Sequence, residues 1–219
     1  MAKWTSQGQC KLCDGVFDKA GMTRHLKSCL SAGTSAASGQ GKAKLLHILA
    51  EGQGNTAYWL HVEISADDPL EVLDEFLRRT WLECCGHMSV FEIGGESYSS
   101  AGEDEFSEHG LDVRLGDVLP VGAKLTYEYD MGTTAPLSLK VQAEREGAAQ
   151  PKGPRILARN EPPPILCACG KPAVVVCSSC SWEPAGWLCK ACGKKHECGE
   201  EMQLPVVNSP RVGQCAYTG

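Results

Sequence analysis

Cysteine and histidine positions carry the chemistry of this chain. Cys10-Lys11-Leu12-Cys13 is a two-cysteine knuckle, and His25 and Cys29 follow it after eleven and then three residues. Zinc takes four tetrahedral nitrogen or sulfur donors, so a tight turn can supply the first pair and one face of a helix the second. Phe17 and Met22 fall where a small ββα finger needs core residues, and the set resembles a two-Cys, His-Cys zinc finger. A second run comes as four pairs, Cys167/Cys169, Cys177/Cys180, Cys189/Cys192 and His196/Cys198, with loops of seven, eight and three residues between them. Eight donors imply two ions, so the twelve ligands predict three zinc ions per chain. Interleaved pairing, first with third and second with fourth, resembles the cross-brace of B-box and MYND-type modules; sequential pairing is the alternative. Either way each ion has four protein donors and no open position, which is the structural rather than the catalytic pattern.

Thirteen cysteines leave Cys84, Cys85 and Cys215 outside these sets. A thiol-dependent enzyme would use Cys84 or Cys85 with His87 as base and Asp130 to orient it. The simpler reading makes the two cysteines small apolar groups at a helix end, and adjacent cysteines do not readily chelate one ion. Cys215 is expected to be buried, since an exposed thiol there would be prone to oxidation. No phosphate-binding glycine loop and no paired-carboxylate cleft is legible, so no enzyme activity and no small-molecule substrate are expected.

Charge divides the chain of 219 residues, whose formal net charge is −6. Residues 1 to 46 hold seven Lys and Arg against two Asp and Glu, residues 47 to 150 six against twenty, and residues 151 to 219 eight against five. A strongly acidic centre repels polyanions, so contact with DNA or RNA falls to the basic finger, through Lys19, Thr23, Arg24 and Lys27. One finger covers only about three base pairs, and a protein partner is an equal expectation. Trp182, Trp187 and Val174-Val175-Val176 read as the small core between the terminal zinc sites, or else as an exposed docking face. No stretch of about 18 apolar residues is present, which excludes a membrane helix, and no apolar run follows a basic start, so a cytoplasmic location is expected.

The elements that must position these groups follow from pattern. Leu45 to Glu51 and Tyr58 to Ser65 alternate around Gly52-Gln53-Gly54-Asn55 as a hairpin, with Tyr58, Leu60, Val62 and Ile64 on one face. Asp68-Pro69-Leu70-Glu71 combines an N-cap acid, a first-turn proline and a capping-box glutamate, and predicts a helix from Pro69 to Cys84. Val90 to Ile93 and Glu96 to Ser99 flank a Gly94-Gly95 turn, and Lys124 to Asp130 and Leu137 to Ala143 alternate again. The fold class is α+β: a four-stranded sheet with one helix across it, in an order that matches a small ubiquitin-like β-grasp, flanked by two zinc-stabilised modules.

The segment with Tyr58-Trp59-Leu60-His61-Val62-Glu63-Ile64, Asp68-Pro69-Leu70, Trp81-Leu82-Glu83-Cys84-Cys85-Gly86-His87-Met88-Ser89-Val90-Phe91 and Leu125-Thr126-Tyr127-Glu128-Tyr129-Asp130-Met131-Gly132 resembles the Ri-plasmid open-reading-frame-three-like family. Likeness extends over residues 45 to 146 and to the tail, Leu204 to Arg211 and Cys215 to Gly219. It implies a prokaryotic mobile-element setting and no particular reaction. Met131 and Thr133-Thr134 replace a Phe and an acidic run found in many members.

The chain is thus divided into a finger (1–30), a flexible linker (31–44), the central domain (45–146), a Pro/Gly linker (147–164), a two-zinc cluster (165–203) and an apolar tail (204–219). The expected role is a non-enzymatic zinc-binding adaptor or regulatory protein; a DNA-binding accessory protein is the alternative. Pro205, Val206, Val207 and Tyr217 are expected to dock the tail, leaving Arg211 to pair with the acidic centre.

Overall fold

A computed structural model of the chain describes residues 6–33, 42–102, 109–148 and 153–219. In chain order the elements are β1 (Gln7–Cys10), β2 (Val16–Asp18), α1 (Lys19–Gly33), β3 (Lys42–Gly52), β4 (Trp59–Ser65), α2 (Leu70–Leu77), β5 (Ser89–Ile93) and β6 (Glu96–Ser99). There follow α3 (Leu115–Val118), β7 (Lys124–Tyr129), β8 (Ala135–Ala148), β9 (Arg155–Asn160), β10 (Val175–Cys177), β11 (Trp187–Leu188), α4 (Lys190–Gly193) and β12 (Gln203–Pro205). Nine strands form one sheet in the order β2-β1-β9-β4-β3-β8-β7-β5-β6, and β11-β10-β12 form a second.

The expected hairpin is β3–β4, in register from Leu45 opposite Ser65 to Glu51 opposite Trp59. Gly94 and Gly95 both take positive φ, 64° and 98°, the conformation that a tight two-residue turn between β5 and β6 demands. Leu46, Ile48, Leu60, Val62 and Ile64 pack on one face of the sheet against Leu70, Leu73, Leu77 and Trp81. The helix carrying them is shorter than expected. It runs from Leu70 to Leu77, continues through one π-helical turn, Arg78–Leu82, and ends at Glu83, whose backbone is extended. Pro69 is the N-cap and itself supplies no side-chain cap bond. The carbonyls of Val113 and Leu111 accept the Leu70 and Glu71 N–H groups at 2.9 Å each, so the neighbouring loop does the work foreseen for a capping box.

Three organisational expectations change. Every pairing within the nine-stranded sheet is antiparallel, and the sheet is larger than the four strands foreseen, so a β-grasp is not confirmed. The proline- and glycine-rich spacer contains β9, which pairs with β4 on one side and β1 on the other. Through it the finger's hairpin joins the central sheet instead of hanging from a tether. The first linker is narrowed by α1, which reaches Gly33, and by β3, which starts at Lys42; residues 34–41 lie outside the described residues, as do 149–152.

The second face of β4 is covered by the finger. Met22, Leu26 and Leu30 of α1 form a cluster with Cys10, Trp59, Leu157 and Ala158. Polar groups on this face are paired within it. His47 Nε2 lies 2.8 Å from His61 Nδ1, and buried Glu63 accepts bonds from Arg145 (2.7 Å) and Arg155 (2.6 Å). Burial holds His47 down to about 4 and His61 down to about 3, with the charges of Arg145 and Lys27 on the first and of His47 and Lys19 on the second acting the same way; Glu63 opposes on His47. Both values lie below that of an unfolded imidazole, about 6.5, so the native state binds fewer protons below that pH. Stability from these rings is complete above about pH 6.5 and falls with acid, by up to about 1.4 kcal/mol per pH unit for each ring until the folded-state value is reached. We expect the imidazole resonances of both residues to keep the neutral pattern from about pH 7.5 to about pH 5. Protonation of either ring near pH 6.5 in an NMR titration would contradict the burial argument.

Candidate metal centres

Four groups of Cys and His place one ligand atom each within 4.8 Å of one another: Cys10, Cys13, His25 and Cys29; Cys167, Cys169, Cys189 and Cys192; Cys177, Cys180, His196 and Cys198; and Cys84, Cys85, His87 and Cys215. All thirteen cysteines are free thiols. The first group sits in the ββα finger. The Cys10 N–H donates to the Gly15 carbonyl and the Asp14 N–H to the Cys10 carbonyl, each at 2.9 Å, closing the knuckle around Asp14, whose φ is 60°. Asp18 Oδ1 accepts the Gly21 N–H at 2.6 Å and so starts α1, which carries His25 and Cys29 on one face. Cys13 Sγ lies 3.2 Å from His25 Nε2 and Cys10 Sγ 4.0 Å from Cys29 Sγ. Tetrahedral zinc with bonds of about 2.3 Å to sulfur and 2.0–2.1 Å to nitrogen requires edges of about 3.8 Å and 3.6 Å, so the donors stand near ligating distances. Phe17 stacks on His25, ring centres 4.3 Å apart.

The carboxy-terminal donors group in the interleaved order, first pair with third and second with fourth. Cys169 Sγ is 3.5 Å from Cys167 Sγ and 3.6 Å from Cys189 Sγ, while Cys180 Sγ is 3.7 Å from Cys198 Sγ. A glycine is required at 186, where a Cβ would stand 2.0 Å from the Cys180 carbonyl oxygen. His196 buries its Nε2 without a hydrogen-bond partner among the described residues. With three sulfurs and one ring nitrogen within 4.8 Å of one another, the donor set fits a metal. Thiol acidity is split within the groups. Backbone N–H groups of Cys169 and Cys189 bring Cys167 down to about 6, whereas hydrogen bonds from neighbouring thiols push Cys192 to about 12. For Cys177, burial acts upward, but His196 and the Ser179 and Cys180 N–H groups outweigh it and bring the thiol to about 7; Cys180 is pushed to about 12 by Cys198 and Cys177. Crowded sulfurs cannot all ionise unaided, and a divalent cation removes that conflict.

Cys215, expected to be buried and unpartnered, is exposed and belongs to the fourth group. The tail itself docks. Tyr217 is 3 % exposed and Val206 and Val207 are half-buried, while Pro205 is exposed within β12. Arg211 does pair with the acidic centre, but in full burial: its Nη2 donates to Asp130 Oδ2 at 2.6 Å and to Cys84 Sγ at 3.3 Å, and its Nη1 to the Thr133 carbonyl at 3.0 Å. Asp130 also accepts the Gly132 and Thr133 N–H groups, and though burial acts upward, Arg211 and these donors hold its carboxyl below the usual carboxylate range. His87 Nε2 is 3.5 Å from Asp130 Oδ2, so the atoms of the thiol-enzyme reading do converge, yet the carboxylate is already engaged by Arg211.

Among the residues foreseen for nucleic acid, Lys19 pairs with Glu51 at 2.5 Å, and Thr23 donates to the Lys19 carbonyl and lies 3.4 Å from His61 Nε2. Those two are turned toward the sheet. Arg24 and Lys27 are exposed on α1. Of the residues foreseen as a core between the terminal ligand groups, Val176 is buried, beside Leu188, and Val175 and Trp187 are half-buried, whereas Trp182 is 77 % exposed and Val174 49 % exposed. No helix among the described residues is long and apolar enough to cross a membrane.

No family model matches the chain, and no curated protein matches it. Among solved structures, the crystal structure of the protein of unknown function MM3350 from Methanosarcina mazei Go1 is similar, at 16 % identity and a TM-score of 0.49, over 53 % of this chain and 70 % of that one.

Arg211→Ala would remove the one arginine on buried Asp130, leaving it the Gly132 and Thr133 N–H donors and the His87 ring. We expect a loss of about 3–5 kcal/mol of stability, read as a shift of the denaturation midpoint. Cys180→Ser breaks a group whose donors all lie between residues 177 and 198. It should abolish hydrogen-exchange protection in β10–β12 and spare β3, β4 and β8, whose core is separate; equal loss in both sheets would show them to be one cooperative unit.

Proposed function

We propose that this chain is a non-enzymatic zinc-binding adaptor, in which metal-stabilised ends are built onto an antiparallel sheet to present a surface to a protein partner. The observation that carries the reading is the donor count: the finger and the two terminal groups each offer four protein ligands. Four donors complete a tetrahedron and leave no position for substrate or water, so such ions hold structure and do not activate a reactant.

A protein partner is favoured over nucleic acid by where the side chains lie. Two of the four foreseen nucleic-acid contacts, Lys19 and Thr23, are spent on Glu51 and on the helix backbone, while Trp182, Val174 and Leu166 leave apolar surface exposed on the terminal module. Tryptophan is enriched where protein interfaces carry most of their binding energy. Exposed Arg24 and Lys27 support the second reading, a DNA-binding accessory protein acting through the finger. The setting proposed with either, a prokaryotic mobile element or its host, rests on sequence resemblance to the Ri-plasmid open-reading-frame-three-like family.

Two measurements separate the readings. Trp182→Ala should abolish co-purification of the partner cross-linked to the native chain, at unchanged zinc content. Fluorescence anisotropy with DNA and RNA should show no saturable binding at about 50 mM salt; saturable binding that weakens steeply by about 200 mM, and that Arg24→Ala with Lys27→Ala removes, would replace the adaptor with the accessory-protein reading.

A further inference from the structure

We propose that Cys84, Cys85, His87 and Cys215 form a fourth zinc site, which clasps the carboxy-terminal tail to the loop that follows α2. This site goes beyond the three that define the adaptor reading and does not depend on which partner is bound. Its donors come from two stretches 128 or more residues apart, yet Cys85 Sγ lies 3.9 Å and His87 Nε2 3.7 Å from Cys215 Sγ. Those separations are near the edges of about 3.8 Å and 3.6 Å that a tetrahedral zinc imposes on sulfur–sulfur and sulfur–nitrogen pairs. They are far beyond the roughly 2.05 Å of a disulfide.

Adjacent cysteines on an extended strand project to opposite sides, which is why the pair looks unsuited to one ion. Here the backbone bends at Cys84 and Cys85. The Tyr129 hydroxyl oxygen accepts both the Cys84 N–H (3.4 Å) and the His87 N–H (3.2 Å), and Glu83 Oε1 accepts the Gly86 N–H (2.6 Å) and the Tyr129 hydroxyl (2.9 Å). Gly86, at φ 71°, supplies the left-handed step that brings His87 round. The loop is thereby folded into a cradle with both thiols on the same side as the imidazole.

The tail is delivered to that cradle with equal care. Asn160 Nδ2 donates to Asn208 Oδ1 and Asn208 Nδ2 to the Asn160 backbone carbonyl, each at 2.8 Å, the Ser209 hydroxyl donates to the Trp81 carbonyl at 2.6 Å, and Arg211 is locked onto Asp130. Cys215 then takes φ 48°, a left-handed conformation that is uncommon outside glycine, aspartate and asparagine, and its thiol points into the group. On binding, each thiol gives its proton to solvent as its sulfur takes up the ion, and His87 contributes a neutral nitrogen lone pair. Three thiolates and one Zn²⁺ leave a net negative centre, and the Arg211 guanidinium, shared with Asp130, donates to Cys84 Sγ at 3.3 Å from outside the ligand set.

Native mass spectrometry of the full-length chain, purified without added metal, tests the site. The expected count is four zinc ions for the wild type and three for Cys215→Ser, one fewer, matching the four groups of donors. Three ions in the wild type, or an unchanged count in Cys215→Ser, would overturn the proposal. Should that variant fail to fold, the wild type decides the matter by alkylation. Cys85 and Cys215, though exposed, are expected to resist iodoacetamide until a chelator is added and then to react together. Modification of either before chelation, or an intact mass two hydrogens light from a Cys85–Cys215 disulfide, rejects the site. Neither measurement involves the partner or nucleic acid, so loss of the clasp and loss of the adaptor reading are told apart.

Discussion

Burial of β4 on both faces is the constraint from which the rest of the architecture follows. One face of this strand meets the α2 core, as a half-buried strand would, but Trp59, His61 and Glu63 on the other face are no more than 1 % exposed. A strand in that position needs a second cover, and the chain supplies it with α1 of the finger, joined by Leu157 and Ala158 of β9, the strand that lies beside β4 within the spacer. Covering carries an electrostatic demand as well. Glu63 cannot be desolvated alone, and Arg145 and Arg155 approach it from β8 and β9; the two imidazoles stay neutral and face one another. The finger is therefore a structural half of the core, joined to it by apolar contact along its helix, with a four-donor Cys/His group that could hold a metal at its knuckle end.

Alternation of apolar residues made the hairpin and the strands β7 and β8 legible, and Gly94-Gly95 the β5–β6 turn, because each signal is continuous in sequence. What alternation could not show is the second cover. Tyr58-Trp59-Leu60-His61-Val62-Glu63-Ile64 reads as one apolar and one polar face, and a histidine and a glutamate on a strand look solvated until their partners, 14 and up to 92 residues away, are known. Arg155 to Asn160 escaped notice for a related reason: flanking Gly and Pro residues carry a spacer signature, and the strand's place in the sheet comes from the β1 and β4 edges it joins. The helix start was legible in position, but not the backbone carbonyls of residues 111 and 113 that accept the Leu70 and Glu71 N–H groups.

The candidate metal ligands were the most legible feature, for zinc coordination fixes donor type, number and spacing at once. Twelve positions fell into three groups of four as the spacing required, and the interleaving of the last eight, open in sequence, is decided by which loops the second sheet brings together. The fourth group was hidden by being divided between the α2 end and the tail. Three unassigned cysteines and His87 add up to one more tetrahedral set, and that arithmetic was the available signal; the neighbouring Cys84 and Cys85 argued against it because no local pattern announces a bend held by a tyrosine hydroxyl 42 residues on.

The tail shows how polar groups can specify a docking that apolar area alone would leave loose. Residues 204 to 219 are apolar enough to seek cover, but apolar contact is non-directional and would tolerate several registers. Asn208, Ser209 and Arg211 each need a particular partner, on β9, at the end of the π turn and after β7 respectively, and a shift by one residue would strand all three. The strictest of these is Arg211. Wholly buried, with Tyr129 under its guanidinium at 4.8 Å, it is tolerable only where Asp130 meets it, and Asp130 is itself held by backbone donors in a left-handed turn that no other register of the tail would satisfy. A buried ion pair of this kind adds little net stability over an apolar pair of the same volume; what it adds is the exclusion of alternatives, and it places Cys215 where the thiols of the α2 loop already point.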